Sequence, residues 1–261
     1  MTLGLLKLVL TPLMIAMPTL AARRWGPIIG GLLVGLPLTS GPVSVFLAIE
    51  QGREFAAQAA HSAMLGSLAV TVFCVAYARG ARVFAWPGAL TLALTGYVLL
   101  FLLLSQLTLS LFPATVLVLS LTGIALRVVK PTEKNIPPPA PAHWDLPFRM
   151  IVATAIVFAI TAASSHLGPR LSGLLSNVPV FICVMSVFSH RLQNAVAAQQ
   201  LLRGIILANF AYMAFYLMVS MTIRILPLLL VYTLAGIAAI AVNWGVYRLV
   251  VQKSRLFALF R

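Results

Sequence analysis

The chain has 261 residues, 61% of them hydrophobic, with 18 basic and 4 acidic side chains and a formal charge of +14. Charged residues make up 8% of it, against roughly 25% in a soluble globular domain. That composition excludes a water-soluble enzyme or a nucleic-acid binder, because the basic residues flank long apolar runs instead of forming a patch. The expectation is an all-α polytopic membrane protein, not an enzyme, with no cofactor or metal, whose first partner is the lipid bilayer.

A crossing needs about 20 apolar residues. By that measure the chain predicts about nine transmembrane helices, near 3–21, 27–49, 55–79, 84–104, 108–128, 148–166, 169–189, 195–221 and 226–250. The first lacks a basic start and carries Arg23 and Arg24 on its far flank, so it is predicted to be a span and not a cleaved signal peptide. The second is interrupted by Gly35, Pro37, Gly41 and Pro42, with polar Thr39 and Ser40 alongside. The third carries Gln58 and His61, whose spacing of three puts them on one helix face. Ser105–Thr108 and Pro113 separate the fourth span from the fifth. The stretch from Lys130 to Pro147, with its Pro-Pro-Pro-Ala-Pro core, predicts an extended linker. The seventh span is interrupted at Asn177 and Pro179, and the eighth carries Gln200 and Arg203. Cys74 and Cys183 lie in apolar runs and are read as small buried hydrophobes.

The two halves resemble each other. Offsetting the chain by 142 residues sets Gly26 on Gly168, Pro27 on Pro169, Gly31 on Gly173, Pro37 on Pro179, Ser44 on Ser186, Gln51 on Gln193 and Gln58 on Gln200, without a gap. Apolar composition alone does not produce coincident Gly-Pro, Pro, Ser and Gln. The reading is a duplication: residues 1–104 form one four-helix unit and 148–250 a second. A linking helix and the Pro-rich cytoplasmic loop occupy 105–147, and 251–261 form a basic tail. An odd linking helix makes the second unit an inverted copy of the first.

Charge partition agrees with nine spans. Arg23, Arg24, Arg79, Arg82, Arg127, Lys130, Lys134, Arg149, Arg191, Arg248, Lys253, Arg255 and Arg261 fall on one side, and Lys7, Arg53, Arg170 and Arg224 on the other. The positive-inside bias predicts an amino terminus outside and a cytoplasmic carboxyl terminus.

Gly173-Leu174-Leu175 followed by Pro179, a short polar turn, a long eighth span, then Leu226-Pro227 and Trp244, resembles the GlpM-like family of small bacterial inner-membrane proteins. The resemblance covers 148–250 well and 1–104 less fully, since the fourth span has no Trp at the equivalent place. It implies four-helix units and a bacterial inner membrane. The duplicated, inverted plan is also similar to that of the drug/metabolite transporter superfamily, although the first span here lacks the membrane-embedded glutamate of its proton-coupled small multidrug exporters.

Paired interruptions in inverted halves point to a transport site. The Gly26/Gly30 and Gly31/Gly35 pairs also suit close helix packing. The candidate substrate-binding residues are Pro37, Thr39, Ser40, Asn177 and Pro179 at the interruptions, and Gln58, His61, Gln200 and Arg203 on the third and eighth spans. Arg203, about 12 Å into its span at 1.5 Å per residue, is a costly charge that needs a partner: Glu50 at the end of the second span, or an anionic substrate. The functional expectation is a small-molecule transporter for an anionic or polar substrate. The alternative is a non-transporting assembly factor or partner subunit. Self-association is left open.

Overall fold

The computed structural model describes residues 2–38, 40–107, 109–130, 144–164 and 179–252. It is all-α. The helices are α1 (Thr2–Trp25), α2 (Pro27–Val34), α3 (Ser40–Glu50), α4 (Arg53–Gly80), α5 (Trp86–Leu104), α6 (Leu111–Val128), α7 (Asp145–Ser164), α8 (Val180–Leu192), α9 (Ala195–Thr222) and α10 (Leu228–Val246), the last running into a π-helical turn at Tyr247–Gln252.

Among the described residues, five helices are long and apolar enough to cross a membrane: α4, α5, α6, α9 and α10, the last counted to Leu249. α3 and α8 are shorter apolar helices. The chain is thus built as a membrane-embedded protein, with bulky side chains such as Leu99, Leu229, Ile237 and Ile240 left on the outside of the bundle.

Punctuation follows the prolines. Pro27, Pro87 and Pro113 lie in the first turns of α2, α5 and α6, where their missing N–H leaves no bond unmade. Pro179 and Pro227 stand immediately before α8 and α10. The helix expected over 27–49 is two helices, α2 and α3. α2 ends at Gly35, Pro37 cannot donate to continue the ladder, and its carbonyl instead accepts from the Gly41 N–H at 2.9 Å. Of the interruption expected in the seventh span, Pro179 stands at the start of α8 and Asn177 lies outside the described residues. The linker reading ran three residues too far: Asp145, Leu146 and Pro147 form the first turn of α7.

α4 and α9 form the centre and run antiparallel. Three cross-links fix their register: Glu54 to Arg224, the Ala57 carbonyl to the Ser220 hydroxyl, and Thr71 to Asn209. α5, α6, α10 and α2 surround them. α2 comes closest, because Gly31 and Gly35 on it lie against Gly204 and Ala208 on α9. A Cβ on Gly31 would sit 2.9 Å from the Gly204 Cα, and one on Gly204 3.0 Å from the Gly31 Cα. Backbones approach this closely only where both residues are glycine.

Candidate functional site

A cavity of about 1560 Å³ lies beside α4 and α9. The α2–α3 break, α3, α5, the α5–α6 turn, Val157 of α7 and the start of α8 contribute the rest of its wall. On α4 the lining spans a broad face whose middle is a ridge of residues four apart, Gln58, Ser62, Gly66, Val70 and Cys74, flanked by His61, Ser67 and Thr71 among others. Sixteen residues along a helix at 1.5 Å each amount to about 24 Å, most of a hydrocarbon core about 30 Å thick. One end of the cavity reaches Gln58 and Arg224 near the molecular surface, and the other reaches Cys74, Tyr97 and Ile182.

The mouth carries the charge. Arg224 donates from Nε and Nη2 to both carboxylate oxygens of Glu54, at 2.8 and 2.7 Å, and the Gln58 amide donates to the same carboxylate at 3.2 Å. These bonds hold the Glu54 carboxyl down to about 2. Glu54 belongs to the exposed first turn of α4, before the 55–79 span.

Deeper, the polar lining is uncharged. Asn209, Tyr212 and Tyr216 project from α9 into the cavity within about 60° of one another at 100° per residue. Ser40, at the start of α3, lines the cavity together with Tyr212 and Tyr216. The two tyrosine rings stand 4.7 Å apart. Across the cavity, Tyr97 stacks on Phe101, with ring centroids 6.0 Å apart. At mid-depth the Asn209 Nδ2 donates to Thr71 Oγ1 at 3.2 Å and Thr122 Oγ1 at 3.0 Å, joining α9 to α4 and α6.

The residues expected from sequence divide. Ser40, Gln58, His61 and Pro179 line the cavity. Pro37 makes the break but is not among the lining residues. Glu50 is exposed at the end of α3 and also lies off the lining. Gln200 and Arg203 sit about 180° and 120° round α9 from Asn209, and neither lines the cavity. Thr39 and Asn177 fall outside the described residues. The expected pairing of Arg203 with Glu50 or an anion is corrected: its guanidinium donates to the carbonyls of Leu126, at 2.8 Å, and Val129, in the last turn of α6. It caps a helix end whose carbonyls have no partner in the helix and carry partial negative charge.

Beyond the end opposite the mouth lies a cluster of packed and ion-paired side chains. Asp145, read as a linker residue, is buried at the start of α7. It accepts from Arg23 on α1 and from Arg149 one turn along, both at 2.7 Å. The Arg149 guanidinium lies 5.0 Å from the centre of the Phe188 ring on α8, and Thr19 of α1 meets Met185. Tyr77 at the end of α4 makes an edge contact with His190 of α8, 5.9 Å between centroids. α1, α4, α7 and α8 therefore converge at this end.

Comparison with known protein families, with characterised proteins and with solved structures finds no match.

Sequence reading missed Asn209, Tyr212 and Tyr216, the principal polar groups of the deep cavity. Their signal was present: one Asn and two Tyr at spacings of three and four in the otherwise apolar run 204–219. Asp145 gave no such signal, because the prolines before and after it resemble linker.

Proposed function

We propose that the protein is a transporter for a small anionic or polar solute, with its pathway between two inverted four-helix units. One observation carries the reading: a largely apolar cavity set with hydroxyl and amide groups, which follows α4 for about 24 Å from the surface beside Arg224 toward the end where α1, α4, α7 and α8 pack together. A bundle whose only task was to present a surface to a partner would have no need to keep hydroxyl and amide groups facing a void at mid-membrane depth, where unpaired polar groups are costly.

The duplication supports the same reading. α4 and α9 are equivalent under the 142-residue offset and lie antiparallel, as inverted copies would. Nine crossings, a bacterial inner membrane, and an outer face bearing Glu54 and Arg224 complete the scheme. In that orientation the cavity opens outward. The end bearing Arg23, Asp145 and Arg149 is the cytoplasmic end. Described lining residues include no Asp or Glu, which disfavours a cationic solute.

The test is a library of uncharged and anionic metabolites, scored first by thermal stabilisation of the purified protein and then by flux into proteoliposomes. The expected result is at least one solute that stabilises the protein and crosses the membrane, with Tyr216→Trp, which fills the cavity, abolishing flux. Flux of none of them, together with stoichiometric co-purification of another membrane protein, would establish the partner-subunit reading.

A further inference from the structure

Among the described residues no charged side chain lines the deep cavity, and Arg203 and Arg224 are committed elsewhere. Arg203 is bound to the end of α6, and Arg224 is neutralised by Glu54 at the mouth. His61 lines the wall ten residues toward the mouth from Thr71, about 15 Å along α4. What remains at mid-depth is Asn209.

The orientation of its amide is determined by its neighbours. Thr71 has one hydroxyl proton, and it goes to the Ser67 carbonyl at 3.0 Å. Toward Asn209 the Thr71 oxygen can only accept, so the atom facing it is the amide nitrogen. The same nitrogen spends its second proton on Thr122. Both amide protons are used, and Oδ1 is the edge left for the cavity that Asn209 lines.

We infer that the cavity binds an uncharged molecule with an apolar, aromatic-sized body and an N–H or O–H group that donates to Asn209 Oδ1. Val70, Ile205, Ile206, Phe101 and Phe181 supply the apolar wall for the body. A cavity with a few fixed polar groups on such a wall is the ordinary form of a small-molecule site. A site of this kind rejects a ligand that cannot donate, because the buried acceptor is then left unpaired. It rejects an anion because, among the described residues, no free cation stands at that depth to replace its lost hydration.

This inference rests on the transport reading only for what happens after binding, and the two are tested separately. Tritiated indole is titrated onto the full-length protein in detergent. 1-Methylindole, which lacks the donor, and indole-3-carboxylate, which adds a negative charge, serve as competitors; phenol, anisole and benzoate repeat the comparison. The expected order is indole and phenol tightest, with the methylated and anionic members at least tenfold weaker. Asn209→Leu is expected to abolish saturable binding. Thr71→Val, which keeps the shape but releases the amide to turn over, is expected to fold normally and lose the tenfold preference for indole over 1-methylindole. Tighter binding of the carboxylates, equal binding of the methylated compounds, an unchanged preference in Thr71→Val, or no saturable binding of either parent compound would overturn the inference. Binding in the expected order without flux in proteoliposomes would leave this site standing and remove the transport reading.

Discussion

Gly31 and Gly204 face each other with no side chain between their helices. A Cβ added to either one would meet the other's Cα at about 3 Å, closer than real Cβ contacts come. α2 is only eight residues long, so this crossing is what ties it to the central helix and holds the break beside the cavity.

Filling the crossing should therefore separate α2 from α9. Gly204→Ala and Gly31→Ala are each expected to cost about 1–3 kcal/mol, the usual range for overpacking. Gly245→Ala, where an added Cβ meets nothing within 4 Å, is expected to leave the unfolding temperature unchanged. Thermal unfolding in detergent checks all three, and equal midpoints would show that the close approach is absent.

Arg203 is expected to behave as a structural cation. Arg203→Met should cost about 1–3 kcal/mol, since it leaves the α6 carbonyls of Leu126 and Val129 without their donor. Solute affinity should be unchanged in the protein that still folds. A loss of affinity without a loss of stability would return Arg203 to the binding site. The comparison thus separates a charge that holds a helix end from one that holds a substrate.

Asp145 balances two arginines, one of them fully buried. Asp145→Asn removes the carboxylate and leaves Arg149 uncompensated, an expected loss of about 3–5 kcal/mol. Adding Arg149→Met should restore a large part of it, because the unpaired charge is then gone as well. Denaturant unfolding of the two single variants and the double variant reads the coupling. Strict additivity would mean that the pair makes no interaction worth keeping.

The Glu54–Arg224 pair should give a small effect with a definite sign. Its carboxyl is held below the ordinary 4.5, down to about 2, by Arg224 and Gln58. A depressed carboxylate stabilises the fold above its unfolded value, and that contribution drains away as pH falls through the folded value. The difference in unfolding temperature between wild type and Glu54→Gln should be constant above pH 4.5 and shrink toward about pH 2. Both side chains are exposed, so the plateau is small. A difference that grows on acidification would contradict the pairing.

What the amino-acid pattern made legible was the part governed by local chemistry. α4 and α9 were marked by long, mainly apolar runs, and the α2–α3 break by Pro37 among glycines. Arg203 was recognised as a buried charge, but its partner was not. Backbone carbonyls at a helix end have no residue code, and they belong to a helix more than 70 positions earlier. The expected symmetry of Gln58–His61 and Gln200–Arg203 fails for a related reason: α4 turns its pair to the cavity, whereas α9 presents Asn209, Tyr212 and Tyr216 there. Which face of a helix meets a void depends on its neighbours, and neighbours are a tertiary property.

The pathway itself is tested most directly by its water access. In a Cys74→Ala, Cys183→Ala background, single cysteines at Ser62, Gly66 and Val70 on the lining ridge are exposed to a membrane-impermeant thiol reagent from each side of the bilayer, with Leu99→Cys as the lipid-facing reference. The expected result is labelling of the ridge positions from the Glu54 side alone, slower with depth, and none at position 99. Ridge cysteines as unreactive as the one at position 99, or labelled only from the Asp145 side, would contradict a solute path that opens where Arg224 stands.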